Sequence, residues 1–515
     1  MKTKLRYHVA WITGALVGAA LLGGNATASN KSTSNGTVNK LVVAESTAPK
    51  SFDPTQSDVI ASWYPWALVY DSLVRVITDG SLAPVLATKW SISDDRLTYT
   101  FQLRRGVKFQ NGDALTADDV VFSYQRMLTG GIPYTKARFP TLVSIEATGA
   151  LEVQFKLSAA DAGFLNNLGD PFEVGTAVLS KKAASATNPA TMMMGTGPYK
   201  MVSYVPDQKL TLVSNDKYWG VKPKTKNLEI LYMPDQSAQV AALRSGKIDL
   251  MFPTAESLRA LSGSHTVTKN VQSATIVQLE FNSEFNPALA KLQVREAIAH
   301  AIDRKGIVSK ALLGAGVPSA HLPSALAYAV APKDLPNYTY DPALSRRLLA
   351  EAGYANGLDL TLDVFSTAPP LITSYAEVLQ SQLKAVGINV TIINSDFATW
   401  LSKFNGGKFA LLANWTSYKS DPIWYLHVRP GRSGTTPSDI AAMETKIQGA
   451  TQKELPSLLQ VYEKLQAASV WPNLAIAAET QSVTTRLGVT GVNPQYQMTR
   501  SFLGGVTVKK IKKSK

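Results

Sequence analysis

Short runs in which apolar and polar residues alternate recur along this chain, separated by stretches with helical spacing. In 97–103 (LTYTFQL) and 151–157 (LEVQFKL) every second residue is apolar, which predicts strands with one buried face. Between them, Thr116 followed three places later by Asp119 has the form of a helix-start box and predicts a helix over 118–127. This section therefore predicts a compact α+β unit. Before it, the apolar run from Leu41 to Ala44 is consistent with a first strand. After it, Gly195-Thr196-Gly197-Pro198-Tyr199 has the composition of a tight turn, leading into predicted strands at 200–205 and 209–213. A helix over 237–243, closed near Gly246, and a short strand at 248–250 follow.

The second half carries stronger periodicity. Over 293–305, Val294, Ala297, Ile298, Ala301 and Ile302 fall on one helical face, and Gly306 is the expected stop. Asp341-Pro342 reads as an N-cap with proline at the first helical position, Leu344, Leu348 and Leu349 as the apolar stripe, and Gly353 as the exit. Leu358, Leu360, Leu362 and Val364 alternate as a strand. A helix near 374–386 ending at Gly387, a strand at 388–393, a helix near 396–404 and a strand at 409–414 complete a β-α-β-α-β series. Such a series predicts an open α/β sheet. Ligands of open α/β sheets bind beyond the carboxyl ends of the strands, which here means 366–371 and 414–424.

The first 28 residues change the picture. Lys2, Lys4 and Arg6 form a basic leader, an apolar run extends from Val9 to Leu22, and Ala26-Thr27-Ala28 forms a small-residue cleavage site. That order predicts a secretory signal peptide cut after Ala28, because the apolar run is short for a spanning helix. The polar stretch 29–39 reads as a flexible leader. An exported chain of 515 residues without cysteine depends on its cores for stability, has no N-terminal cysteine for a lipid anchor, and should form two or three domains. The formal net charge is +14, partly from Lys509, Lys510, Lys512, Lys513 and Lys515. No recognition motif for nucleic acid accompanies it, so a solvated basic surface is expected and no nucleic-acid partner.

Catalytic signatures are missing: no phosphate loop, no H-E-x-x-H helix, no G-x-S-x-G elbow. Asp94-Asp95 and Asp118-Asp119 stand where aspartates cap backbone N–H groups. His265, His300, His321 and His427 are scattered without i,i+4 spacing, so no metal site and no cofactor are expected. The chemistry that stands out is aromatic and polar. Asn414, Trp415, Ser417, Tyr418 and Trp424 mix rings with short polar groups, as ligand clefts do; the alternative is that the rings pack beneath the loop. Trp63 and Tyr64 form a second cluster, which either lines the opposite wall or packs a helix.

Eight segments then carry a resemblance: VYDSL at 69–73, LAPVLA at 82–87, YTFQLR at 99–104, LTADDVVFS at 115–123, GTGPYK at 195–200, LRSGKIDL at 243–250, AHAIDR at 299–304 and LLAEAGY at 348–354. In this order they resemble the family 5 extracellular solute-binding proteins, the dipeptide, oligopeptide and nickel receptors of ABC importers. The resemblance implies a two-lobed α/β fold of the periplasmic-binding-protein type (type II, peptide-receptor-like) with an extra α+β domain. Lobe one would comprise 39–70, 170–279 and 489–515, the extra domain 71–169, and lobe two 280–488. It further implies a periplasmic monomer that captures a small-molecule ligand between the lobes, delivers it to membrane permease subunits, and catalyses nothing. A periplasmic sensor or chaperone-like binder is the alternative, and a secreted hydrolase a third reading.

Peptide receptors of this family resemble one another in an Asp three residues after a Trp, which holds the peptide amino group. The matching place here is Tyr418, after Trp415. Dipeptide binders also share an Arg for the carboxylate, and the matching stretch 366–370 (STAPP) has none. A zwitterionic dipeptide would lose two charge-assisted anchors worth roughly 1.5–3 kcal/mol each. A peptide held by its backbone, an opine-like or sugar-containing solute, or a metal chelate remain open as ligands.

Overall fold

The alternation in 97–103 becomes the strand Thr98–Leu103, whose residues alternate between part-buried and buried. The computed structural model describes residues 37–57, 60–77, 81–169, 175–261, 266–319, 329–365, 370–417, 434–471, 473–492 and 506–509. Thr98–Leu103 lies in a four-stranded antiparallel sheet ordered Ala87–Ile92, Thr98–Leu103, Glu152–Leu157, Leu142–Gly149. The helix Ala117–Gly130 packs on this sheet, and Asp119 reaches back to accept the backbone N–H of Thr116 at 2.9 Å. An aromatic cluster forms the core between them: Phe155 meets Phe101 edge-on at 5.5 Å and Tyr124 at 5.0 Å.

A mixed sheet of eleven strands runs through the remainder. At one end, the parallel strands Ile388–Ser395, Leu358–Phe365 and Leu411–Ser417 reproduce the expected β-α-β-α-β series, with helices Pro370–Lys384 and Phe397–Asn405 as connections. Gly353 and Gly387 both take positive φ, as chain reversals after a helix require. At the other end, Lys40–Glu45 lies beside Asn227–Tyr232, followed by Lys209–Ser214 and Tyr199–Val205. Each end has its own hydrophobic core, one built on Leu279, Ile298, Leu362 and Leu379, the other on Leu41, Val43, Trp66 and Leu228. The result is a two-lobed α/β fold.

Two long antiparallel strands, Thr266–Phe281 and Asn473–Arg486, join the ends. Near Thr485 the pair adjoins Leu250–Met251 in one lobe; near Val277 it adjoins Leu411–Ser417 in the other. Its register breaks between Gln272 and Ile276, and such a break bends a ribbon and loosens its ladder.

One expected element is different. The helix over 293–305 is two helices, Leu292–Ala301 and Arg304–Lys310, and Gly306 lies inside the second. Asp303 caps that second helix by accepting the Gly306 N–H at 2.9 Å, so the aspartate starts a helix where the glycine was expected to end one. The signal segment and leader residues 29–36 fall outside the described residues; the end of the expected flexible leader is instead ordered as the strand Thr37–Val38, paired antiparallel with Thr507–Lys509. Among the described residues no helix is long and apolar enough to cross a membrane.

Candidate functional site

The three parallel strands of the lobe built on Leu362 end on the same edge, and the chain continues from them into 366–369, 396 and 418 onward. This edge is where an open α/β sheet places a ligand. Trp415 and Ser417 stand at the carboxyl end of Leu411–Ser417, in register with Val277 and Thr275 of the long ribbon strand. Tyr418, Trp424 and 366–369 lie outside the described residues.

Asn414 is buried, and its Nδ2 donates to Glu280 Oε1 at 3.1 Å. Gln278 donates to the same oxygen at 2.6 Å, and the Tyr375 hydroxyl donates to the Gln278 carbonyl at 3.1 Å. Burial, and after it the charge of Glu280, pushes the Tyr375 phenol well above its ordinary range. Asn414 thus belongs to a hydrogen-bonded layer that fixes the strand at the residue before Trp415. Its partners Gln278 and Glu280 escaped the sequence reading, because only the pairing of two distant strands brings them together.

In the other lobe, Trp63 and Tyr64 lie on the helix Ile60–Val69. Tyr64 is buried in that lobe's core, so the structure places it in the packing rather than on an open wall. Its hydroxyl, that of Tyr232, and Oε1 of Glu45 are all enclosed without a hydrogen-bond partner. Glu45 and Tyr232 face each other in register at the carboxyl ends of parallel strands. Although Glu45 is only part-buried as a residue, its carboxyl end is shut off from water, and this burial pushes its pKa up to about 8.

The shared motif residues turn out to be structural. Asp71, fully buried, accepts from the Thr196 hydroxyl at 2.7 Å and from the Trp219 indole at 3.1 Å. Gly197 must be glycine, since a Cβ there would lie 2.6 Å from the Val69 carbonyl. Asp53 accepts from Arg126 of the four-stranded unit at 2.7 Å, and the same pairing raises the Arg126 pKa. Both carboxylates bind the four-stranded unit to the lobe that holds Tyr64. His300 donates through Nδ1 to the Thr339 carbonyl at 2.7 Å, which gives it a packing role. Asp95 and Asp119 are occupied with backbone N–H groups. Among the described residues no group of three His, Cys, Asp or Glu is placed to hold a metal.

The profile of the bacterial extracellular solute-binding proteins, family 5 middle region, matches residues 81–435. The chain belongs to this family. Heme-binding protein A of Haemophilus influenzae is 30% identical over 464 residues, covering 82% of this chain and 84% of that protein. The dipeptide-binding protein of Escherichia coli is 29% identical over 418 residues, covering 74% and 77%. A periplasmic binding protein of Helicobacter pylori, solved with the peptide STSA, superposes with a TM-score of 0.72 at 25% identity, over 92% of this chain and 98% of that one. Members of family 5 are extracellular solute-binding proteins of ABC importers, and relatives of this chain are named for binding heme, dipeptides and nickel.

Proposed function

We propose that this protein is the periplasmic substrate-binding subunit of a peptide-type ABC importer, a monomer that closes two lobes around one small polar solute and presents it to permease subunits. The boundaries follow the resemblance: 39–70, 170–279 and 489–515 for lobe one, 71–169 for the extra domain, 280–488 for lobe two, with the signal removed after Ala28. The observation that carries this reading is the pair of long strands whose register breaks between the two cores. A two-stranded connection with a broken ladder is a hinge, and a solute touching both lobes favours closure by its higher affinity for the closed state. The proposed contacts are Trp415, Ser417, Tyr418 and Trp424 from lobe two and Trp63 from lobe one. Asn414 supports them from behind through Glu280.

The solute is not an ordinary dipeptide in this reading, since Tyr418 and the stretch 366–370 supply neither charged anchor. Titration calorimetry with Ala-Ala tests this. Loss of two anchors at roughly 1.5–3 kcal/mol each predicts affinity at least a hundredfold below that of a receptor that has both. Tight Ala-Ala binding would overturn it. Loss of solute uptake on deleting the protein separates an importer subunit from a sensor.

A further inference from the structure

The extra domain touches lobe two at a place far along the chain from the hinge. In the turn between Ala87–Ile92 and Thr98–Leu103, Arg96 takes a left-handed backbone (φ 60°), and its guanidinium donates to the carbonyl of Gly449. The Ala162 N–H donates to the Gln448 carbonyl at 3.2 Å, and Gln452 Nε2 donates to the Ala162 carbonyl at 2.8 Å. Ala162 is buried in a small cluster with Ile447, Ala450, Leu455 and Leu459, from the helix pair Ser438–Gln448 and Leu455–Ser469 and the loop between them. Asp161 holds the Ala162 turn in shape by accepting from Gly163 N–H and the Thr141 hydroxyl, each at 2.9 Å.

This contact is narrow. A pocket of about 320 Å³ opens beside it, lined by Arg96, Tyr99 and Asp161 from one side and by Thr451 and Lys453 from the other. The polar bonds end on main-chain groups and two side chains within reach of water, which replaces them readily on separation. The extra domain itself is fastened to lobe one through Asp53–Arg126 and the Asp71 cluster. The helix pair is fastened to lobe two, for example by Arg295 donating to the Ser469 carbonyl at 3.1 Å. A hinge movement at the ribbon therefore has to break this contact.

We propose that the seam of Arg96 and Ala162 against 448–452, with Gln452 reaching back to Ala162, is a latch. It lets the extra domain hold lobe two to lobe one before any solute arrives, and so sets how much of the closed state exists for the solute to select. The proposal rests on the reading that the lobes open and close around a solute. It assigns the extra domain a part in that equilibrium beyond packing.

The chain has no cysteine, so two introduced cysteines are the only sites for spin labels. Val143 on the extra domain and Val461 on the second helix of the pair are both exposed. Pulsed dipolar spectroscopy on the full chain, labelled at Val143→Cys and Val461→Cys and freed of solute by dialysis, should show a short-distance population. Arg96→Ala with Gln452→Ala should reduce that population at least threefold. Gln452→Glu, a single change at the seam surface that sets a carboxylate against the Ala162 carbonyl, should reduce it as well and decides the matter where the double variant does not fold. A distribution unchanged by both variants, or no short population without substitutions, overturns the latch. Failure of the solute-binding reading would show elsewhere, as purified protein that carries no small molecule in native mass spectrometry.

Discussion

Glu45 ends a strand in an apolar core with an enclosed oxygen that nothing satisfies, and its pKa of about 8 means that the folded protein holds it protonated at neutral pH. Unfolded, the same carboxyl ionises near 4.5. A raised carboxyl pKa makes the unfolded state the one that loses its proton first, so stability is highest below about pH 4.5 and falls as pH rises toward about 8. Glu45→Gln keeps the shape and removes the titration. Urea unfolding should show the variant more stable by a few kcal/mol at pH 8 and nearly equal at pH 4.5, because each tenfold difference in proton affinity between the folded and unfolded carboxyl is worth about 1.4 kcal/mol. An unchanged pH profile would refute this. The sequence displays Glu45 only as a polar end to LVVA, because its pairing with Tyr232 depends on a strand 187 places away in number, which no local pattern reports. For Tyr64 the sequence left an outer wall and the packing of a helix both open, and its burial in the core decides for packing.

Alternation placed the strands of the extra domain and of lobe two, since one-sided burial imposes a period of two on the residues themselves. The break at Ile302 was missed because the apolar stripe continues across it; only the Asp303 cap distinguishes a stop from a restart. Asp303→Ala should therefore lower stability by about 1 kcal/mol, read as a lower melting temperature, while Asp303→Asn, which keeps an accepting oxygen, should retain most of it. Equal losses in both would mean that the cap is not the cause. Register accounts for Asn414 in the same way. It pairs with Gln278, and this sets its amide on Glu280; the composition of 414–425 showed its polarity and not its direction.

For the whole molecule, the ordered motifs carried the family, and the structure explains why they serve the architecture. Asp71, Thr196 and Gly197 fasten the extra domain, and Asp249 accepts the Val42 N–H at 2.8 Å while pairing with Arg486 at the foot of the two-stranded ribbon. These are the constraints of a two-lobed frame, so they identify the frame and leave its cargo unnamed. The seam between Arg96 and Gly449 spans 353 places in sequence and depends on how finished domains meet, which periodicity does not encode. In the proposed reading the ligand meets the end of Leu411–Ser417, where Trp415 follows Asn414, whose amide is held on Glu280. The measurement that bears most directly on the central claim is native mass spectrometry of the protein as purified, beside Trp415→Ala. The account predicts a small molecule bound one to one, released on unfolding, and much reduced in Trp415→Ala while the melting temperature of the solute-free protein stays unchanged. Bare chain in both preparations, or equal occupancy in the two, would contradict it.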